Sequence, residues 1–165
     1  MIDKPEIIFI EESLCGYPLT KKIISILSPA QCVKIEDYKR IGEEKSISQR
    51  AAEDKSCLTL GYKKGGMLKN IGRMGSGQYY LFHEMDCMYD CEYCYLQYYF
   101  QTKVPVIFLN REDVPTKSEE ILKSCESPYF HPGEICDSLA FDDLTGFSLK
   151  IAELFSKHQN GTIEF

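Results

Sequence analysis

The chain has 165 residues, of which 44% are apolar and 27% charged. That length fits a single domain, and the composition is ordinary for a globular protein, which excludes collagen-like repeats and wholesale disorder. With 19 basic against 25 acidic side chains the net charge is -6, a poor basis for a general phosphate-binding surface, although a local basic strip stays compatible with it.

No stretch is apolar for long enough to cross a bilayer, and Met1 to Ile10 lacks the basic-then-apolar order of a secretion signal. A cytoplasmic setting is expected, with no membrane partner. In a reducing compartment the eight cysteines read as metal ligands or reactive groups before disulfides.

In chain order, Ile7-Ile8-Phe9-Ile10 is a short apolar run and reads as a buried strand. Pro18 to Leu27 follows as a helix, with Leu19, Ile23, Ile24, Ile26 and Leu27 on one side and Pro18 in its first turn. Val33-Lys34-Ile35 is a second strand. Glu36 to Asp54 is highly charged and reads as a surface segment, helical near Ser46 to Ala52. Leu58-Thr59-Leu60 restarts a strand. Gly65, Gly66, Gly72, Gly75 and Gly77 mark a glycine-rich hinge. It has neither Walker nor dinucleotide-binding spacing. Lys63-Lys64, Lys69 and Arg73 beside it make a modest basic strip, read as a solvated face.

Gln78 to Met85 reads as one strand running into a cysteine-rich loop, and Tyr95 to Gln101 as a helix after it. Val106 to Leu109 is a strand. Thr116 to Ser124 is a helix with Thr116 as cap and Glu119 three residues on, a capping-box pattern. Pro128 to Glu134 is irregular or extended. Leu144 to His158 is an amphipathic helix through Leu149, Ile151, Leu154 and Phe155, and Thr162 to Phe165 begins another strand. Strands alternating with helices suggest a parallel α/β sheet. A closed eight-fold barrel takes about 250 residues. The expected architecture is therefore an incomplete TIM-type barrel over 78–165, cut short at its C-terminal end. A small α/β subdomain over 1–64 and a linker over 65–77 precede it.

The most informative segment is Cys87-Met88-Tyr89-Asp90-Cys91-Glu92-Tyr93-Cys94. Its C-x3-C-x2-C spacing places three thiolates around one soft metal centre. A 4Fe-4S cluster takes four protein ligands, so three leave one iron open for a small molecule that chelates through an amine and a carboxylate. Structural zinc is the competing reading: Cys91 and Cys94 form a half-site, and His83 is available as a fourth ligand. The unequal spacing and the aromatic residue before the third cysteine favour the cluster.

Cys87 to Gln97, CMYDCEYCYLQ, resembles the signature of the radical S-adenosylmethionine superfamily, and the Tyr-Leu-Gln extension is similar to the spore photoproduct lyase group. Ile7 to Leu19, Ser56 to Lys63, Asn110 to Val114 and Asp142 to Thr145 have similar counterparts there, in the same order. The resemblance implies a radical-SAM type partial barrel and a 4Fe-4S cluster on Cys87, Cys91 and Cys94. It also implies S-adenosyl-L-methionine as cofactor, cleaved at its sulfonium by an electron to a 5′-deoxyadenosyl radical. It implies a lyase reaction that repairs thymine dimers in DNA, with an electron donor such as flavodoxin or ferredoxin. Tyr93 matches the aromatic position beside the adenine, and Tyr93 and Tyr95 match two tyrosines of a radical relay.

Gly133-Glu134, expected at a strand end downstream of the cluster, matches the pair that holds the cofactor's amino group. A carboxylate suits an ammonium, and glycine permits close backbone approach. Ser138 is placed with them. The family's hydrogen-donating cysteine, aligned on Asp137, falls on Glu134. Cys136 lies two residues later, and a shifted alignment makes it the donor. A buried structural thiol is the plain reading of the same residue. Two further readings stand beside the lyase: a radical enzyme of the same group with another substrate, and a cluster-binding fragment without turnover.

Overall fold

The computed structural model describes residues 4–41, 56–72, 77–89, 91–100 and 102–165. The helix expected near Ser46 to Ala52 lies outside them. The chain begins with β1 (Ile7–Glu11), α1 (Pro18–Leu27), β2 (Gln31–Ile35), β3 (Cys57–Gly61) and β4 (Leu68–Asn70). Next come β5 (Gln78–Leu81), β6 (Glu84–Met85), α2 (Leu96–Tyr99), β7 (Val106–Phe108) and α3 (Val114–Ser124). It closes with β8 (Tyr129–His131), α4 (Asp142–Thr145), α5 (Phe147–Phe155) and β9 (Thr162–Ile163).

The strands form two sheets. One has the order β2-β1-β3-β7-β6 and the other β4-β5-β8-β9. In the first, β2, β1, β3 and β7 run parallel and only β6 is antiparallel. In the second, β5, β8 and β9 are parallel and β4 is antiparallel to β5. The protein is thus a mixed α/β fold with parallel sheets.

Strand alternation decides the packing. Ile8 and Ile10 of β1, Leu58 and Leu60 of β3 and Ile107 of β7 share one buried cluster with Ile23 and Leu27 of α1. Val106 and Phe108 point the other way, into a cluster with Phe130 of β8, Leu122 of α3 and Phe147, Ile151 and Phe155 of α5. Cys87 and Leu96, on either side of the cysteine loop, belong to the first cluster. The loop is thereby anchored at both ends by apolar burial.

Several expected elements differ in detail. Gln78 to Met85 is two strands in two sheets. The chain leaves β5 at Leu81, where the Phe82 N–H donates to Met67 O at 2.8 Å, and enters the first sheet at Glu84. The 65–77 segment contains β4. Its flanks are not separate in hydrogen bonding, because β7, from beyond the cysteine loop, pairs with β3. α3 starts at Val114 with Pro115 in its first turn, so Thr116 lies inside the helix and the capping box is not made. Asp113 sits at the cap without capping, its carboxylate engaged by the Lys117 ammonium one turn on. The long C-terminal helix is broken into α4 and α5 by Gly146 at φ 59°. The Asp142 carboxylate accepts the Ser148 N–H at 2.7 Å and so caps α5. The helix expected over Tyr95 to Gln101 shortens to α2, and Pro128 to Glu134 contains β8. No helix among the described residues is long and apolar enough to cross a membrane.

Candidate functional site

The cysteine loop leaves β6 through Asp86, one of two described non-glycine residues with positive φ, at 62°. This tight exit is braced by the Asp86 carboxylate, which accepts the Cys87 N–H at 2.7 Å. The Asp86 N–H donates to Ile135 O at 2.8 Å, which ties the start of the loop to the segment after β8. Beyond the third cysteine the Tyr95 hydroxyl donates to Glu134 O. Two hydrogen bonds therefore hold the cysteine loop and the Gly133–Cys136 turn together, one on each side of the thiols.

Cys87 is buried, while Cys91 and Cys94 are partly exposed, and none of the eight cysteines is in a disulfide. The Tyr89 N–H donates to Cys87 Sγ at 3.4 Å. Cys94 N–H to Cys91 O at 3.0 Å and Gln97 N–H to Cys94 O at 3.3 Å wind the loop into α2. This donor set fits a thiolate-held cluster: three thiols outside any disulfide on one short loop, one of them receiving a backbone N–H. The three Sγ atoms share that loop without forming a close group. Among the described residues, the tight group of metal-capable side chains is a different one. His83, Glu84 and Cys136 place their ligand atoms within 4.8 Å of one another.

That group is a buried polar cluster. His83 is fully buried, its ring nitrogens 3.4 Å from Leu81 O and 3.1 Å from Ser138 O, and its ring stacks on Phe147. Burial and the nearby Arg111 charge lower its pKa to about 4. One ring N–H donates to a carbonyl and the whole ring is enclosed, so His83 is not positioned as a fourth ligand for the cysteine loop. Glu84 is 1% exposed, and burial raises its carboxyl to about 8. Burial likewise pushes the Cys136 thiol up, with the Glu84 and Cys87 charges adding to the effect. Cys136 is thus held as S–H, donating to Pro132 O at 3.4 Å.

A cavity of about 480 Å³ opens beside this turn, lined by His131, Gly133, Glu134, Cys136, Asp137 and Ser138 among others. A Cβ placed on Gly133 would approach nothing closer than Cys136 O at 3.6 Å. The surrounding protein therefore does not require glycine there; the open side is the cavity. Four of the residues singled out from the sequence, Gly133, Glu134, Cys136 and Ser138, line this one space. Tyr95 reaches its edge through Glu134 O. Tyr93 is 93% exposed and stands apart, its hydroxyl pKa raised by the Cys91 charge and a hydrogen bond to that thiol.

Sequence reasoning did not single out Tyr80 or Asp86, and it read His131 as a loop residue. Tyr80 hydrogen-bonds the Glu134 carboxylate, which raises its pKa. His131 ends β8, donates from Nε2 to Gln78 Oε1 at 2.7 Å and stacks on Tyr129. Their strand-end positions were the available signal, since barrel sites gather at carboxyl ends of strands.

A family model described as spore photoproduct lyase matches residues 3–165. The fold is similar to a solved spore photoproduct lyase complexed with dinucleoside spore photoproduct. The TM-score is 0.75 at 20% identity, over 96% of this chain and 48% of that one. A double mutant of spore photoproduct lyase with bound AdoMet and dinucleoside spore photoproduct gives the same TM-score, identity and coverage. A tyrosine-to-phenylalanine mutant gives 0.74. The chain spans about half the length of these lyases. No curated protein matched by comparison of sequences. Since the family model runs from residue 3 to residue 165 and takes in both the cysteine loop and the turn bonded to it, the chain belongs to the spore photoproduct lyase family, whose members are radical S-adenosylmethionine enzymes.

Proposed function

We propose that this chain carries the cofactor-binding part of a radical S-adenosylmethionine lyase that acts on thymine dimers in DNA. Residues 78–165 would form the first part of its partial barrel. The 1–64 subdomain and the 65–77 linker precede that part, with β7 crossing back to complete the first sheet. The observation that carries this reading is the double tether of the cysteine loop to the Gly133–Cys136 turn, by Asp86 to Ile135 and Tyr95 to Glu134.

Cys87, Cys91 and Cys94 would hold a 4Fe-4S cluster, with Gly133, Glu134 and Ser138 binding S-adenosyl-L-methionine in the adjoining cavity. When bound, the cluster and cofactor supply one electron and a primary carbon radical that abstracts hydrogen from substrate. The Glu134 carboxylate is fixed by the Tyr80 hydroxyl and its carbonyl by Tyr95. It therefore meets a cofactor ammonium without reorganising. Exposed Tyr93 would lie against an adenine face once its hydroxyl leaves Cys91. Tyr93 and Tyr95 would relay the radical, the Tyr95 hydroxyl, between the loop and the turn, returning a hydrogen atom to Cys136 once that thiol has given up its own. Cys136, kept protonated by burial, would return a hydrogen atom to the product radical once its S–H turns from Pro132 O toward the cavity it lines. The electron donor would be a flavodoxin or ferredoxin, and the setting the reducing cytoplasm.

A second reading, the same chemistry on another substrate, is favoured by one observation. The family's donor-cysteine position is occupied here by Glu134, and Cys136 is offset by two residues.

Anaerobic purification tests the cluster. The protein should carry about four irons. It should lose them when Cys87, Cys91 or Cys94 becomes Ala, and keep them when Cys15, Cys32 or Cys57 does. Stoichiometric zinc without visible absorption would refute the assignment. Glu134→Ala should weaken S-adenosylmethionine binding while leaving the iron content intact. Cofactor cleavage with no repair of a dinucleoside thymine photoproduct would select the second reading. In a repairing enzyme, Cys136→Ala should cleave cofactor yet release misquenched thymine products.

A further inference from the structure

A second cavity, of about 320 Å³, shares no lining residue with the first. Its walls come from three places: the β1–α1 junction at Tyr17 and Pro18, the β7–α3 junction from Leu109 to Pro115, and the start of α5 at Phe147 and Lys150. The first two are carboxyl ends of parallel strands. The sheet order β2-β1-β3-β7 also reverses direction at β1, since β2 lies on one side of it and β3 and β7 on the other. In open parallel α/β sheets the crevice outside the carboxyl ends, at such a switch point, is where ligands bind. The volume falls at the lower end of the range for small-molecule sites, about 300–1,000 Å³.

The lining has a definite chemistry. Leu19, Leu109, Pro115, Phe147 and Ile151 make it mainly apolar. Two cations stand in it. Arg111 is largely buried, with its side chain 11% exposed. Its Nε donates to Phe108 O at 2.6 Å, its Nη2 donates to His83 O at 3.2 Å, and the guanidinium lies 4.9 Å over the Phe147 ring. Its Nη1 has no hydrogen-bond partner, and the nearest Glu84 oxygen is 3.9 Å from Nη2, beyond hydrogen-bond reach. A fixed, buried guanidinium with an unused donor is costly unless something meets it. Lys150 is exposed and makes no ion pair with the described residues. Glu112 is the carboxylate of the lining, so the cavity is net cationic in a chain of net charge -6.

We propose that this cavity is a second small-molecule site, taking an organic anion that joins a carboxylate or a phosphate monoester to a ring-sized apolar body. Arg111 and Lys150 hold the anionic group, and Phe147, Leu109 and Pro115 cover the body. The inference is independent of the radical chemistry, because none of these residues belongs to the cysteine loop or the cavity beside it.

The probe is 8-anilino-1-naphthalenesulfonate, an amphipathic anion whose fluorescence rises when it is bound, titrated into the intact protein. Phenyl phosphate and phenylacetate serve as competitors with one ring and two different anions. Displacement by either supports the site, and the stronger of the two identifies the anionic group. Lys150→Glu, an exposed change that leaves the fold intact, should weaken dye binding by about five- to tenfold. Lys157→Glu, just beyond α5, outside the lining and paired with Glu153, should leave it unchanged. Saturating S-adenosylmethionine should not displace the dye. Binding unaffected by Lys150→Glu, failure of both competitors, or displacement by S-adenosylmethionine would each overturn the proposal.

Discussion

Glu84 offers the sharpest test of the electrostatics beneath the site. It is 1% exposed, and neither carboxylate oxygen has a hydrogen-bond partner among the described residues. Burial raises its pKa from 4.5 to about 8, against the lowering effect of Arg111. A folded-state value above the unfolded one means that the folded protein holds the proton more tightly. The stability is then fully present below about pH 4.5 and is lost as pH rises toward 8. At about 1.4 kcal/mol for each pKa unit, wild type should lose roughly 3–4 kcal/mol between pH 5 and pH 8 relative to Glu84→Gln. Glutamine copies the shape of the protonated carboxyl and carries no charge, so the two proteins should be nearly equal at pH 5. That loss is a large share of the 5–15 kcal/mol typical of a domain. Urea unfolding followed by circular dichroism at the two pH values, on cluster-free protein, measures it. A wild type that is more stable than Glu84→Gln at pH 8 would show Glu84 and Arg111 acting as an ionised pair, and the reasoning would fail.

Four other substitutions probe the frame that positions the site. Phe130→Ala, removing a fully buried ring stacked on Tyr79 at 5.3 Å and edge-on to Phe155 at 5.0 Å, should cost about 3–5 kcal/mol in urea midpoint analysis. A loss under about 1 kcal/mol would place that ring outside the core. Glu11→Ala removes the acceptor for the Tyr38 N–H at 2.8 Å and the Tyr62 N–H at 3.2 Å and should cost about 2–4 kcal/mol; an unchanged midpoint would mean that water replaces it. Gly161→Ala puts a Cβ 2.1 Å from Leu122 Cδ2, and Gly77→Ala puts one 2.8 Å from Cys125 Sγ at φ 65°. Each should lower stability by about 1–3 kcal/mol, and a thermal melt no lower than wild type would contradict the packing.

The cysteine motif proposed to hold the cluster was legible in the chain itself because it is local. Cys87, Cys91 and Cys94 identify themselves by spacing within eight residues. β1, α1 and β7 announce themselves through apolar runs and helical periodicity, which depend only on near neighbours. What the linear pattern does not contain is which strand finds which partner. Gln78 to Met85 has one continuous strand-like pattern, yet β5 pairs with β8 while β6 pairs with β7. That choice rests on contacts between residues tens of positions apart, as does the return of β7 to β3 across the glycine-rich segment. The same holds for α3, where Thr116 satisfies a local capping pattern but Pro115 and the burial of Val114 move the start two residues earlier. Nothing in the sequence marks Glu84 and Arg111 as buried, and His83 reads there only as an available zinc ligand. They become a buried network only because the crossing from one sheet to the other carries His83 and Glu84 inward and the turn after β7 brings Arg111 against them, where the surrounding protein, not the residue type, sets their charge.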